Sequence, residues 1–407
     1  MRRRFKKLWI FLIILGPGIL SAMAGNDAGG TATYSIAGAH YGFTMLWILL
    51  LVSIALVIIQ EMCARMGVVT GKGLSDLIRE EFGVRWTLFA MFILLLANIA
   101  VTISEFAGIA ASLEIFHLNK FLVVPLVAFF IWYLILRGSY SAVEKIFFGI
   151  AFIYLSYVCS GFLAKPEWTE VVFHTLVPHF SFDLNFIHIA IAMIGTTVTP
   201  WMLFYLQSSV VEKGTKLKDY KYQKWDIVVG SVIAVVIAFF IIVACGATLY
   251  KEGIVVNEAK DAAMALRPIA GNYAAALFAV GLFASSVLGA AILPLSSAYA
   301  ICEALGFENG ISKKFREAPV FFGLYTVLII IGALVVLIPN LSLISVMVFS
   351  QTMNGILLPI ILLFVLRLVN NKRLMGSYRN SRLGNIVTIL TAVSLMVLSS
   401  LLLLSVL

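Results

Sequence analysis

The 407-residue chain is 62% hydrophobic and only 12% charged, and its mean hydropathy is +1.04. Soluble domains carry about 25% charged residues, so the composition excludes a soluble globular protein and indicates a polytopic membrane protein. The formal net charge of +9 would suggest a polyanion partner for a soluble protein. Here the placement of the charges reflects the orientation of the chain in the membrane instead.

Eleven apolar runs have the length of a membrane-spanning helix, which needs about 20 residues. We predict spans near residues 8–40, 44–66, 86–115, 121–136, 143–163, 187–211, 227–249, 270–304, 320–338, 341–369 and 385–407. The first and the sixth contain glycine or proline near their middle and are predicted to be broken. We expect the whole chain, residues 1–407, to form a single transmembrane domain.

The 29 basic residues are distributed unevenly between the two sides of the membrane. With the N-terminus in the cytoplasm, only five lie in outer loops and the other 24 lie on the cytoplasmic side. Cytoplasmic loops carry such an excess of Lys and Arg. We therefore expect a multi-pass protein of the plasma membrane with a cytoplasmic N-terminus and an extracellular C-terminus. The basic balance reflects topology in the bilayer, so no nucleic-acid partner is expected.

The first span is interrupted by a glycine-rich stretch with a carboxylate, Asp27, at residues 21–30. Glycine disfavours a continuous helix, so main-chain carbonyls near Ala24 and Gly25 lose their helical partners. Inside a membrane this is tolerated only where protein or a water-filled cavity satisfies them. A carboxylate beside free carbonyls predicts a cation site.

Two further spans carry polar side chains at membrane depth. Glu105, in the third span, is a second membrane carboxylate that should face the interior of the bundle. The alternative is that Glu105 lies near the end of a misplaced span. In the tenth span, Gln351 and Asn354 either line the site or form hydrogen bonds between helices.

The sixth span should break before Pro200. Proline cannot donate a hydrogen bond to Thr196, and it disfavours helix at Thr199. Two breaks five spans apart indicate inverted repeats whose broken helices meet at the midplane. We predict repeat one near residues 8–163, repeat two near 187–369 and an extra helix near 385–407. Two unrelated kinks are the alternative.

Several stretches resemble the Nramp family of divalent-metal transporters. They are Gly16-Pro17-Gly18, the broken first helix, His40-Tyr41-Gly42 to Leu46-Trp47, Gln60 to Gly67, Thr70-Gly71-Lys72, Glu105 with Gly108, the break before Pro200, Ser350-Gln351, and Lys372 to Gly376. The resemblance implies the LeuT/APC-type fold of sodium-coupled amino-acid transporters, an all-α membrane fold of two inverted five-helix repeats plus an eleventh helix. It also implies alternating access around a site between spans one and six.

Two departures from the family pattern affect the expected cargo. The family's Asp-Pro-Gly-Asn is here Asp27-Ala28-Gly29-Gly30, and the family's Met before the proline is Thr199. Carboxylate, carbonyl, hydroxyl and water ligands suit Mg²⁺, Ca²⁺ or Mn²⁺ rather than softer metals. The loss of two side chains should also widen the cavity, as a partly hydrated Mg²⁺ requires. The chain thus resembles the Nramp-related magnesium transporter branch, although Thr199 also resembles the plant aluminium-transporting branch.

Two other departures concern protons. The His that follows the proline in the family is Trp201, and the family's Asp three residues before Glu105 is Thr102. Histidine titrates near neutrality and a membrane Asp can relay protons. Their replacement argues against proton symport.

We therefore expect uptake of a divalent cation, foremost Mg²⁺ and secondarily Mn²⁺, without proton coupling. The expected metal-site residues are Asp27, Gly30, Ala24, Thr196, Thr199 and Gln351, while Glu105, Gln60 and Trp201 are candidates to carry a proton or support the ligands. A proton-coupled Mn²⁺/Fe²⁺ transporter and a LeuT-type carrier of a small organic substrate are the alternatives. No nucleophile and base pair, phosphate loop or His/Cys cluster suggests an enzyme, and we expect no cofactor and no obligatory protein partner.

Overall fold

The computed structural model describes residues 24–137 and 155–404, and these residues form helices joined by short loops, without a β-strand. The longer helices are α1 (Ala28–Tyr41), α2 (Leu46–Thr70), α3 (Leu74–Ile115), α4 (Lys120–Arg137), α5 (Leu155–Leu163), α6 (Trp168–Leu176), α7 (Leu184–Thr197), α8 (Pro200–Glu212), α9 (Tyr220–Cys245), α10 (Ala274–Leu305), α11 (Pro319–Val336), α12 (Leu343–Asn370) and α13 (Arg382–Leu404). Shorter helical turns are Ala24–Asn26, Leu217–Asp219, Gly246–Tyr250, Ala259–Ala263, Met264–Leu266, Arg267–Ala270, Gly271–Tyr273, Lys372–Met375 and Gly376–Tyr378.

Eight helical stretches of the described chain are long and apolar enough to cross a membrane, and α11 is a shorter apolar helix. The chain is therefore a multi-pass membrane protein, as predicted. Most helix bounds lie within a few residues of the predicted spans. The start of the first predicted span and most of the fifth lie outside the described residues.

The connection between the second and third predicted spans is mostly helical, because α2 continues to Thr70 and α3 already begins at Leu74. The first turns of α3 carry charged residues such as Asp76 and Arg79, so a hydropathy count excludes them. At Gly83 the backbone adopts φ 76° and ψ 176°, and this non-helical residue kinks α3 between its charged and apolar parts. The positive φ favours glycine.

Helix α3 lies at the centre of the bundle and packs most extensively against α10 and α12. Small residues allow these close approaches, as is usual between membrane helices. Gly108 lies against Ser286 and Ala28, and Gly289 lies against the carboxyl group of Glu105. This packing brings Glu105 to the start of α1.

Helix α13 lies at the periphery of the described bundle. Its buried residues form one stripe, namely Gly384, Thr388, Ala392, Leu395 and Ser399. Their spacing of three or four residues places them on one face of the helix. The rest of α13 is exposed and largely apolar, as expected for a surface in contact with lipid.

Candidate metal centre

The break in the first helix lies at Asp27. This residue has extended backbone geometry (φ −65°, ψ −171°) and caps the N-terminus of α1, where its Oδ1 accepts a hydrogen bond of 2.7 Å from the N–H of Gly30. A carboxylate at this position satisfies a free N–H group and interacts favourably with the helix dipole. The break therefore ends earlier in the chain than predicted, because Gly29 and Gly30 already belong to α1.

The break in the sixth span is confirmed. Helix α7 ends at Thr197 and α8 begins at Pro200, with Val198 and Thr199 extended between them. Pro200 occupies the first turn of α8, where its missing N–H and fixed φ are tolerated. The two helix halves thus meet at a short stretch of extended chain.

Oxygen atoms from both breaks converge beside Gly30. The Thr196 hydroxyl donates a hydrogen bond of 3.2 Å to the carbonyl oxygen of Gly25. A Cβ atom placed on Gly30 would lie 2.5 Å from Gly25 O, 2.9 Å from Thr196 Oγ1 and 3.4 Å from Asp27 Oδ1. A carboxylate, a carbonyl and a hydroxyl are ligands that hard divalent cations prefer.

Gln351 of α12 joins this set. Its Nε2 donates to Asp27 Oδ1 at 3.3 Å, and its Oε1 accepts a hydrogen bond of 2.9 Å from Asn354 Nδ2. Both amide side chains are buried. Asn354 therefore orients the amide of Gln351, whose oxygen and nitrogen are distinguished by these partners. The Gln351 amide thus joins α12 to the start of α1 by a hydrogen bond, and the same bond brings it to the carboxylate of the candidate site, so both alternatives for Gln351 stay predictions.

Glu105 lies beside Asp27. Its Oε2 accepts a hydrogen bond of 3.3 Å from the N–H of Ala28, the residue that follows Asp27. Both carboxyl groups are buried, and neither forms an ion pair with a Lys, Arg or His of the described residues. A buried carboxylate without a counter-charge is unfavourable, so a bound cation or a proton must compensate the charge of this pair.

Two other expected residues, Thr199 and Trp201, lie at the second break. Their side chains form no hydrogen bond with the three converging oxygens. The Thr199 hydroxyl and the Trp201 indole N–H are buried, and no acceptor or donor within the described chain pairs with them. The Trp201 carbonyl accepts from Ser296 Oγ at 3.0 Å. The main-chain carbonyl beside Gly30 is that of Gly25, the residue after Ala24.

The space beside the candidate site is small. The site residues are buried, and a cavity of about 10 Å³ lies next to them, lined in part by Gly25, Asn26 and Thr197. That volume accommodates about one water molecule. Because Gly30 carries no side chain, the main chain at Gly25 and the Thr196 side chain approach it closely.

Two contacts of the site were not predicted from the sequence. Gln60 donates a hydrogen bond of 2.7 Å from Nε2 to the sulfur of Met202, so Gln60 contacts a thioether and not Asp27. Tyr34 and Thr197 share a hydrogen bond of 2.8 Å between their hydroxyl groups. Met202 lies in the first turn of α8, and its place directly after the predicted break could have indicated its position.

The comparison with known families identifies the chain. A family model described as "Natural resistance-associated macrophage protein-like" (Nramp) matches residues 18–405. The chain belongs to the Nramp family. This Nramp chain is 26% identical over 405 residues to a protein named "Divalent metal cation transporter MntH" from Caldanaerobacter subterraneus subsp. tengcongensis, covering 97% of this chain and 93% of that protein. It is also 26% identical over 399 residues to the protein of that name from Bacillus subtilis, covering 95% and 91% of the two chains.

Solved structures confirm the predicted fold class of this Nramp protein. It matches a crystal structure of the Eremococcus coleocola manganese transporter with a TM-score of 0.77 and 22% identity, over 95% of this chain and 85% of that one. It also matches MhsT in complex with L-phenylalanine, with a TM-score of 0.62 and 13% identity, over 96% and 98% of the two chains. The Nramp chain thus has the LeuT-type fold, while the exact bounds of the two repeats stay a prediction.

Proposed function

We propose that this Nramp protein carries a divalent metal cation across the membrane by alternating access around the two helix breaks. The convergence of Gly25 O, Thr196 Oγ1 and Asp27 Oδ1 beside Gly30 supports this function most directly. Half-helices that end at a site direct their dipoles and free main-chain groups towards an ion. The names of the relatives, divalent metal cation transporter and manganese transporter, agree with the proposal.

The proposed cargo is Mg²⁺, with Mn²⁺ as a second cargo. The three converging atoms are oxygens, and Gln351 adds an amide beside them. Oxygen ligands suit Mg²⁺ and Mn²⁺, and Mg²⁺ commonly keeps several of its own waters when proteins bind it. The printed names of the relatives support the inclusion of Mn²⁺.

The membrane potential is the proposed driving force. A potential of 100 mV contributes about 2.3 kcal/mol per charge, and therefore about 4.6 kcal/mol for a divalent ion. The cytoplasmic side of a plasma membrane is negative, so this force favours movement of the cation into the cell. The replacement of two proton-relaying residue types by Thr102 and Trp201 supports transport without proton coupling.

One observation favours a second candidate, proton-coupled uptake of Mn²⁺ or Fe²⁺. Asp27 and Glu105 lie side by side, because Glu105 accepts from the N–H that follows Asp27. Two adjacent buried carboxyl groups can hold a proton between transport cycles and release it when a cation binds. Under this candidate, Glu105 carries the proton.

Ion competition in liposomes tests the proposal and separates the two candidates. We expect external Mg²⁺ and Mn²⁺, more than Ca²⁺, to compete for uptake, with no acidification of an internal pH dye at zero potential. Acidification that follows metal entry and disappears in Glu105→Gln would support the proton-coupled candidate instead.

Asp27→Asn should abolish uptake, because it removes the fixed charge of the site while keeping its size. The loss is expected to exceed about tenfold, equivalent to about 1.4 kcal/mol of lost cation stabilisation. Glu170→Gln, at an exposed carboxylate of α6, is the matched control and should transport like the unchanged protein. Uptake retained in Asp27→Asn would refute the proposed site.

A further inference from the structure

A groove with a volume of about 650 Å³ lies where the start of α3 meets the end of α12 and the start of α13. Phe82, Leu363 and Ile389 contribute apolar walls, and Arg367 and Asn370 contribute polar groups. Leu363 and Ile389 are 50% and 49% exposed, so the apolar walls continue onto the outer surface of the bundle. None of the residues that line the groove belongs to the candidate metal centre.

The neighbours of the groove indicate its level in the membrane. Gly83, next to Phe82 in the chain, is the kink between the charged and the apolar part of α3, so α3 enters the membrane there. Trp86 is exposed, and its ring packs edge-on against Phe364 of α12 with the centroids 6.4 Å apart. Tryptophan is enriched at the level of the lipid headgroups. The groove therefore opens at the boundary between headgroups and acyl chains.

The polar end of the groove carries an uncompensated positive charge. Glu81 supplies the carboxylate among the residues that line it, and this group already pairs with the Arg373 guanidinium and accepts a hydrogen bond of 2.7 Å from Asn371 Nδ2. Arg367 is exposed, and no carboxylate of residues 24–137 and 155–404 pairs with it. An anionic group that enters the groove thus meets a guanidinium that is available to bind it.

A pair of amides holds two walls of the groove together. Asn370 Nδ2 donates a hydrogen bond of 2.8 Å to Asn385 Oδ1, and Asn385 Nδ2 donates one of 3.0 Å to Asn370 Oδ1. Helices α12 and α13 are therefore joined beside Arg367 by contacts within the protein. A cavity that is already built costs little ordering when a ligand binds.

We propose that the groove binds one anionic phospholipid, with the phosphate on Arg367 and an acyl chain along Phe82, Leu363 and Ile389. Arginine forms paired hydrogen bonds with phosphate oxygens, and basic pockets between membrane helices bind anionic headgroups on the cytoplasmic side. The predicted topology places the groove on that side. An anionic headgroup neutralises Arg367, whereas a zwitterionic headgroup brings a second positive charge with its phosphate.

Native mass spectrometry of the purified full-length protein in detergent measures the binding of phosphatidylglycerol and of phosphatidylcholine. We expect the unchanged protein to bind one phosphatidylglycerol in preference to phosphatidylcholine, and Arg367→Gln should weaken this binding about tenfold. Arg316→Gln is the matched control, since it removes the same charge from an exposed arginine between α10 and α11. This control should bind phosphatidylglycerol like the unchanged protein.

Two further measurements test the apolar part of the groove. Ile389→Trp, which fills that part and keeps Arg367, should also weaken the binding of phosphatidylglycerol. Phosphatidylglycerol should raise the melting temperature of the unchanged protein more than inorganic phosphate does at the same concentration.

Three results would overturn the inference. The first is equal binding of the two lipids by the unchanged protein, and the second is equal binding of phosphatidylglycerol by Arg367→Gln and Arg316→Gln. The third is equal stabilisation by inorganic phosphate, which would indicate an anion site without a lipid chain. None of these results depends on which ion the protein carries.

Discussion

Gly30 leaves no room for a side chain at the point where the oxygens converge. A Cβ there would lie 2.5 Å from the carbonyl oxygen of Gly25 and 2.9 Å from the Thr196 hydroxyl. The first of these atoms belongs to the backbone and cannot rotate away. The small size of residue 30 is therefore a geometric requirement of this site, and not only the loss of an amide ligand.

Gly30→Ala should impair both folding and transport. Forced overpacking in a well-packed interior typically destabilises a protein by about 1–3 kcal/mol, so we expect a lower melting temperature and strongly reduced Mg²⁺ uptake. Gly323→Ala is the control, because a Cβ on Gly323 in α11 meets no atom within 4 Å. That change should be neutral or stabilise the helix by about 0.5–1 kcal/mol. Normal uptake by Gly30→Ala would show that the two breaks are not held as closely as described.

At the level of elements, the contact between α7 and α12 positions Gln351. Gly195 of α7 lies against the main chain of Gln351 and Gly355, and Gly355 lies against the main chain of Ile191. Glycines on both helices allow this backbone contact. The contact sets the distance at which the Gln351 amide reaches Asp27.

Gly195→Ala should move α12 away from α7. A Cβ on Gly195 would clash with the Gln351 carbonyl and with Gly355 N, which lies 2.5 Å away. We expect lower apparent affinity for Mg²⁺, because the Gln351 amide no longer meets Asp27, together with a lower melting temperature. Concentration dependence of uptake in liposomes measures the first effect, and Gln351→Ala should reproduce it. An unaltered affinity in both variants would remove Gln351 from the site.

An element can be predicted from the sequence when the residues that cause it lie within a few positions of it. The breaks at Asp27 and before Pro200 follow from glycine and proline, whose backbone effects act within a few residues. The apolar run that predicts the third span leaves out the first turns of α3, because Asp76 and Arg79 are charged. The pairing of Gln60 with Met202 joins α2 to α8 and depends on packing between distant segments, so no local pattern indicates it.

For the whole molecule, the distribution of Lys and Arg predicts its orientation, and cysteine labelling in intact cells measures it. In a Cys159→Ser background, which removes the exposed native cysteine while Cys63, Cys245 and Cys302 stay buried, a cysteine is introduced in place of Lys251 or Lys218. Both positions are exposed. We expect an impermeant maleimide to label Lys251→Cys without permeabilisation and Lys218→Cys only after it. The reverse pattern would invert the proposed topology.

Helix α13 packs against the rest of the bundle through its single buried stripe. None of the site residues lies on this helix, which contacts α2, α7 and α12 through one face only. During translation, every ligand of the site emerges from the ribosome before α13 does. The ion site can thus form while the last helix is still being synthesised, and the docking of α13 onto a finished bundle becomes a late step of membrane insertion.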